Sequence, residues 1–565
     1  VDANNWPADA WAFKRTNLII HLANGLLLGV LTRQILVRVG FDSRRAAWLA
    51  FFSVAAWMLH PFLVSTTMYV VQRMTQLAML CTTAGMVTYL YGRSMLPANK
   101  AKGYTVMTVG LTGFAVLGAL CKESGALLPM LVLVLEFTIL SAPGASAERI
   151  DKRWSGLFLV LPSVLVVAYL AQSFLRADIF EIAPAREFSL YERLLTQPRV
   201  VATYLQHWFI PKLYTTGVFQ DHIVKSTGLL TPVTTLVAAL FHFGVVALAV
   251  VKRRQLPVLA FAILFFYAYH LLESTVLNLE LYFELRNYVP AACVFLPLIV
   301  LIDASVDRKK AFLGGILVLL ALGAFTRYSA TVWSDYDSMI EASAYKAPTS
   351  ARAQVLYARN LFNAGHYDAS MSVIDRAAET IQNSAPMLQM NRALIRCRLR
   401  QLTESDMEDV VNRLAPLTYD PRYLDLYEGS IDSLVGEQCV TNATAELDRL
   451  FSTILEHDNS LTPGSLSLSH VHYLGGLTAL KQQSPDRAMA HFVASVLAQP
   501  KPSATMKMAS LMATAQHYEE ALDLSDLALQ QIEENQAGVL GNITVIEDNA
   551  HEFRRVVRAE MDAAD

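Results

Sequence analysis

The sequence predicts an all-α protein: a polytopic transmembrane helical bundle over residues 1–334, followed over 335–565 by a soluble solenoid of helical hairpins. Three observations carry this. Up to Trp333, apolar runs approaching the ~20 residues that cross a bilayer recur with few charges. The charges between those runs sort by side. From Ser334 onward the chain is polar, acidic in balance and helical in pattern, with hairpins that repeat. The whole chain is 54% hydrophobic and 17% charged with a net charge of -3, values that average two unlike halves and describe neither. Nothing in the charge pattern marks a nucleic-acid partner.

The sorting of charge supplies the orientation. Every second junction between apolar runs is basic: Arg33 with Arg38, Arg44 and Arg45; Arg93 with Lys100 and Lys102; Arg149 with Lys152 and Arg153; Lys252 to Arg254; Arg308 to Lys310. The alternate junctions carry polar groups pressed against apolar sequence: His60-Pro61, Gln72-Arg73, Lys122-Glu123, His270 to Glu273, and Glu284 to Asn287. Lys and Arg collect on the cytoplasmic side of membrane proteins, so the second set faces out. Ionisable groups at the edge of a membrane core are costly to keep and tend to be functional. Lys14-Arg15 on the outer side departs from the pattern.

Counted in order, the expected spans are Thr16 to Val39, Ala46 to His60, Thr67 to Tyr91, Tyr104 to Cys121, Leu127 to Leu140 and Leu157 to Phe174. After a long external stretch come Val233 to Val251, Leu256 to Leu272, Val289 to Leu301 and Phe312 to Trp333, for about ten in all. Within the external stretch, Arg193 to Ile210 mixes apolar and polar residues at helical spacing and predicts a helix lying along the interface. The opening VDANNWPADAWAFKRTN reads as the end of a loop and not as a signal peptide. We therefore expect further residues before Val1, and, because the charge sorting places this start outside, an earlier spanning helix if the true terminus is cytoplasmic.

In the tail, VLYARNLFNAGHYDASMSVIDRAAE and KMASLMATAQHYEEALDLSDLALQQ each read as two antiparallel helices around a turn, aligning Tyr367 with Tyr518, Ser370 with Ala521 and Ala377 with Ala528. HYLGGLTALKQQSPDRAMAHFVASVLAQP adds a third unit with Ala488, Phe492 and a closing Pro500. Ala488 precedes Ala521 by close to the roughly 34-residue period of a tetratricopeptide repeat (TPR). Such hairpins stack because one alone cannot bury its apolar face. Pro386 to Asp458 reads as helical but degenerate, and Val545 to Met561 as a capping helix. Of the five cysteines, Cys81, Cys121 and Cys293 lie in or beside apolar helices as small hydrophobes, without metal-ligand spacing. Cys397 and Cys439 are expected to pair if the tail faces an oxidising compartment.

Arg73, Lys122 and Arg286 place three cations near the outer surface. Arg offers a planar fork to phosphate oxygens and Lys a point charge, so the three together suit a phosphate carried on a lipid. Taken singly, each could instead snorkel or pair locally. His60, Gln72, Glu123, His270 and Glu284 stand beside them in supporting positions. Tyr282, Phe283 and Tyr288 read as an interfacial aromatic belt. Pro290 in a first turn with Asn287 as its cap would bring a helix N-terminus next to Arg286.

The pieces FKRTNLIIHLANGLLL, MLHPFLVSTTMYVVQRMTQLAML, LCKESGALLPMLVLVLEF and ELYFELRNYVPAACVFLPL stand in that order ahead of the repeats. This arrangement resembles the GT-C glycosyltransferases that carry tetratricopeptide repeats, among them the transmembrane-and-repeat O-mannosyltransferases and their bacterial homologues. The resemblance covers nearly the whole chain. It implies a multi-span enzyme that takes a sugar from a polyprenyl-phosphate carrier and places it on an extracytoplasmic acceptor, a protein in the best-known members. It also implies an acidic catalytic base in the first external loop. Asp2 and Asp9 are the acids present there, neither stands in a motif, and the base is expected upstream of Val1. Glu123 and Glu284 could orient the cations or help hold a divalent metal, although their spacing shows no metal site. The homologues imply a bacterial inner membrane with the repeats in the periplasm. A competing reading is a non-catalytic membrane scaffold that recruits partners through its repeats; another is a polymerase or ligase of surface glycans using similar lipid carriers.

Overall fold

The computed structural model describes residues 10–143, 150–180, 186, 188–215, 217–381, 385–437, 439–535 and 543–564. Asp2, Asp9 and Arg149 lie outside the described residues. The chain is 79% helical, with no strand among the described residues, and divides into two compact units, Val1–Ala347 and Pro348–Asp565. The helix Tyr336–Lys346 falls within the first of these.

The basic junctions of the first unit also start its helices. Asp42 accepts from the amides of Arg44 and Arg45, Asp151 from Arg153 and Trp154, Asp307 from Lys309 and Lys310, and Asn99 from Lys102. Each satisfies amide donors that the helix itself leaves open. Five helices are long and apolar enough to cross a membrane: Trp11–Arg38, Lys100–Cys121, Lys152–Arg176, Thr234–Lys252 and Arg308–Ser334. A sixth is possible if Ser43–Met58 and Pro61–Met68, bent by 55° at His60-Pro61, count as one span. Their outer faces leave Leu165, Leu240, Phe243 and Leu317 exposed, as a lipid-facing surface requires.

The count of about ten spans is therefore corrected. Pro257–Glu273 and Pro290–Ser305 are apolar but short, and Leu128–Thr138 is shorter still. The expected span from Thr67 is interrupted, because the helix Val64–Met68 ends at an extended Tyr69 and a new helix, Arg73–Met95, begins after a single 3-10 turn. Hydropathy registers apolar content and not where the backbone breaks. These interrupted, polar-ended elements bury the candidate site side chains Lys122, Glu284 and Arg286, while Ile35, Leu36, Trp57, Met86, Leu131 and Phe261 pack in the apolar core.

The helix Leu190–Phe209 starts with a capping box, Ser189 and Glu192 exchanging side-chain and backbone bonds. It was expected to lie on the interface, yet Arg193, Thr196, Gln197, Val200, Tyr204, His207 and Trp208 are buried against protein. The aromatic-belt reading also fails for Tyr282 and Tyr288. Both are buried, and the Tyr288 hydroxyl meets His21 Nδ1 at 2.8 Å and Asn24 Nδ2 at 3.3 Å.

In the second unit the expected hairpins form: Ala351–Asn363 with Tyr367–Thr380, Leu466–Lys481 with Pro485–Ala498, and Pro502–Thr514 with Tyr518–Asn535. Four more helices occupy 385–457, and Ile543–Ala564 follows at the end. Ser370, Ala377, Ala488, Ala521 and Ala528 are buried where paired helices approach. At Gly476 a Cβ would stand 2.5 Å from the Phe492 ring, so that crossing needs glycine. Cys397 and Cys439 form a disulfide with Cα atoms 5.2 Å apart, within bridging range. Of the other cysteines, Cys293 is buried, and Cys81 and Cys121 are half-buried.

Candidate functional site

Four chain breaks build the site. The helix Lys100–Cys121 stops at Lys122, which is extended (φ -159°, ψ 142°), and a 3-10 turn, Glu123–Leu127, leads into Leu128–Thr138. The reversal is tight because Gly125 lies against the Gly118 backbone, where a Cβ would stand 2.1 Å from the Gly118 carbonyl carbon. This turns Lys122 inward and leaves Glu123 exposed. The helix Pro257–Glu273 ends on a carboxylate that is 2% exposed. The first turn of Arg73–Met95 supplies Thr75, and the 3-10 turn Glu284–Asn287 supplies Arg286.

These ends converge on Glu273. Lys122 Nζ lies 2.5 Å from Glu273 Oε1, and Arg286 Nε lies 3.9 Å from Oε2. Lys122 also donates to Thr75 Oγ1 at 3.4 Å, and Thr75 donates to Gln72 Oε1 at 3.2 Å. Behind the cluster the Tyr269 hydroxyl donates to Ser124 Oγ at 2.7 Å. Two buried cations thus share one buried carboxylate, which leaves a net positive charge in a site with little water to screen it. An anion would complete the balance.

The loop after Glu273 is held from behind. Arg193, fully buried, donates to the carbonyls of Glu273 (2.6 Å), Thr275 (3.0 Å) and Glu280 (3.0 Å), and also to that of Leu279. Gln197 donates to Leu281 O at 2.9 Å. Tyr204 Oη accepts from the Phe283 amide at 2.8 Å and donates to its carbonyl at 3.1 Å. Arg286 Nη1 donates to Glu280 O at 2.6 Å. Among the described residues no hydrogen bond is made by Nη2. His270, stacked on Tyr204 at 5.7 Å and paired with Ser274 at 3.2 Å, packs behind this loop.

The fold brings Lys122 and Arg286 together, with Gln72 reaching Lys122 through Thr75, but Arg73 is elsewhere. Its Nε donates to Asn17 Oδ1 at 3.0 Å and its Nη2 to Phe13 O at 3.2 Å, and the guanidinium sits over the Phe13 ring. Among the described residues Arg73 touches neither Lys122 nor Arg286. His60 caps the turn Pro61–Leu63 by accepting from the Phe62 amide at 3.2 Å, and its ring packs at a tilt of 35° against Trp208, 4.5 Å away. The helix-terminus argument for Arg286 is corrected. Asn287 does not cap a helix: its Nδ2 donates back to Glu284 O at 3.3 Å. Two 3-10 turns intervene before the α-helix Leu296–Ser305.

Glu273 is the residue that sequence reasoning passed over. It was grouped with His270 at a polar junction and given no role, and its one visible signal is an acid closing an otherwise apolar helix. The metal-type ligands that the fold groups among the described residues are Cys397, Glu437 and Cys439, in the second unit, where the two cysteines are joined to each other. Glu123 and Glu284 are not part of such a group. The chain matches no protein-family model and no curated protein.

Proposed function

We propose that the chain is a membrane glycosyltransferase that moves a sugar from a polyprenyl-phosphate donor to an extracytoplasmic acceptor, with protein the favoured acceptor and the TPR-like helical tail its docking domain. The observation that carries this reading is the buried, net-positive Lys122–Glu273–Arg286 cluster at the ends of apolar helices, the depth at which a lipid-borne phosphate would sit. In the reaction the oxygen of the acceptor hydroxyl bonds to the anomeric carbon and gives its proton to a carboxylate base, the bond from that carbon to the phosphate oxygen breaks, and the phosphate leaves carrying the electron pair. Lys122 and Arg286 stabilise that leaving charge. Glu273 holds both cations in place while the site awaits its donor. The resemblance to bacterial homologues adds the setting, a bacterial inner membrane with the tail in the periplasm.

The test is binding of undecaprenyl phosphate to the full chain in lipid nanodiscs, read by native mass spectrometry, with neutral undecaprenol as control. The wild type should retain the phosphate lipid and Arg286→Ala should lose most of it. Sugar transfer by Arg286→Ala should fall by roughly 10²–10³, the usual loss for one transition-state donor. Arg286→Lys should rescue only part, because the ammonium keeps the charge but lacks the planar fork that turns one arm to the Glu280 carbonyl and another toward a phosphate. Equal retention of phosphate and neutral lipid by the wild type would overturn the proposal in favour of the scaffold.

A further inference from the structure

A second polar cluster lies on the other side of the Glu284–Asn287 turn. Glu284 is 3% exposed, and its Oε1 completes no hydrogen bond among the described residues. The turn packs against Pro61–Leu63 and Val64–Met68. On that segment Thr66 Oγ1 is likewise buried without a hydrogen-bond partner among the described residues, and the buried Ser65 hydroxyl faces Glu284. Burial pushes the Glu284 carboxyl up to about 7, opposed by the nearby hydroxyls of Thr215 and Ser65 and by the charge of Lys212. One Glu284 carboxylate oxygen and the Thr66 hydroxyl are therefore withdrawn from water without a matching partner among the described residues, a costly state that a ligand would relieve.

Aromatic groups adjoin them. Phe62 lies 5.7 Å from Trp208 and 5.3 Å from His207, and His207 Nδ1 pairs with the Tyr282 hydroxyl at 3.0 Å. Trp208 Nε1 and His207 Nε2 are also buried without hydrogen-bond partners among the described residues. A carboxylate, hydroxyls and ring donors beside aromatic faces are the chemistry that meets a sugar: hydroxyls donate to the carboxylate and the C–H faces lie on rings. Glu284 and Arg286 leave one 3-10 turn two residues apart, about 4 Å along its axis, the scale of neighbouring groups on a single ligand.

We propose that Glu284, with Ser65 and Thr66, binds the hydroxyls of the sugar carried by the lipid phosphate. The inference rests on the phosphate reading of Lys122 and Arg286, and assigns Glu284 to recognition of the sugar in place of the supporting role beside the cations.

The test uses the full chain in nanodiscs and two probes, undecaprenyl phosphate and the same lipid bearing a hexose, in glucose and mannose forms. The wild type should prefer at least one hexose lipid to the bare phosphate about tenfold. Glu284→Gln should abolish that preference and leave the bare lipid bound as before, whereas Arg286→Ala should weaken every probe. If Glu284→Gln fails to fold, the double variant Ser65→Ala, Thr66→Val removes the hydroxyls without touching the charge and should narrow the same preference. A wild type that binds bare and hexose lipids alike, or Glu284 and hydroxyl variants that keep the preference, would overturn the sugar site while leaving the phosphate site standing. Binding of neither lipid would overturn both.

Discussion

Replacing Glu273 with Gln tests the centre of the site directly. The carboxylate stands 2.5 Å from Lys122 and 3.9 Å from Arg286, with all three side chains at least nine-tenths buried. At an effective dielectric of about 20 these contacts give gross attractions of roughly 7 and 4 kcal/mol, much of which is offset by stripping water from three ions. The isosteric amide removes the negative charge and leaves two cations facing each other unpaired. Breaking a buried pair in this way costs about 3–5 kcal/mol. The seven tryptophans, Trp6, Trp11, Trp48, Trp57, Trp154, Trp208 and Trp333, all lie in the first unit, so tryptophan fluorescence during denaturing-detergent titration reads that unit alone. Glu273→Gln should unfold earlier by that amount, and added undecaprenyl phosphate should restore more stability to the variant than to the wild type, since the phosphate supplies the missing charge. A variant within 1 kcal/mol of the wild type would refute the argument that Glu273 holds the two cations.

Other expectations concern the rest of the chain. Replacing both Cys397 and Cys439 with Ser should lower the stability of the second unit by about 4 kcal/mol, from the chain entropy of a 42-residue separation; superimposable helix melts with and without reductant would count against it. The folded state holds the Glu284 proton to about 7 against an ordinary 4.5, so this contribution to stability is present below about 4.5 and lost as the pH rises through 7. The loss is roughly 3 kcal/mol; Glu284→Gln should flatten that part of the stability profile, and matching profiles would refute it. For orientation, cysteines at exposed Lys152 and Thr349, in a background lacking Cys81 and Cys121, should label from opposite sides with an impermeant reagent. Labelling of both from one side would reject the charge-based topology.

The sequence by itself determined the broad plan. Apolar runs, the Asp and Asn caps inside the basic junctions, and the hairpins around Gly365 and Gln516 all depend on local chemistry, because periodicity and capping act over a few residues. It also brought Lys122, Arg286 and Glu284 into view, since a charge pressed against apolar sequence is visible without a structure. What a charge meets is not visible in that way. Lys122 stands next to Glu123 in the chain but pairs with Glu273, because the turn at Gly125 sends one side chain inward and its neighbour to the surface. Arg73 follows Gln72, yet it is taken up by Asn17 and Phe13, while Gln72 leads through Thr75 to Lys122. Glu284 and Arg286 leave one short turn toward different neighbours. Only the tertiary structure decided these pairings, because where the ends of the Arg73, Pro257 and Glu284 elements meet depends on how the apolar helices pack, and no window of neighbouring residues contains that information.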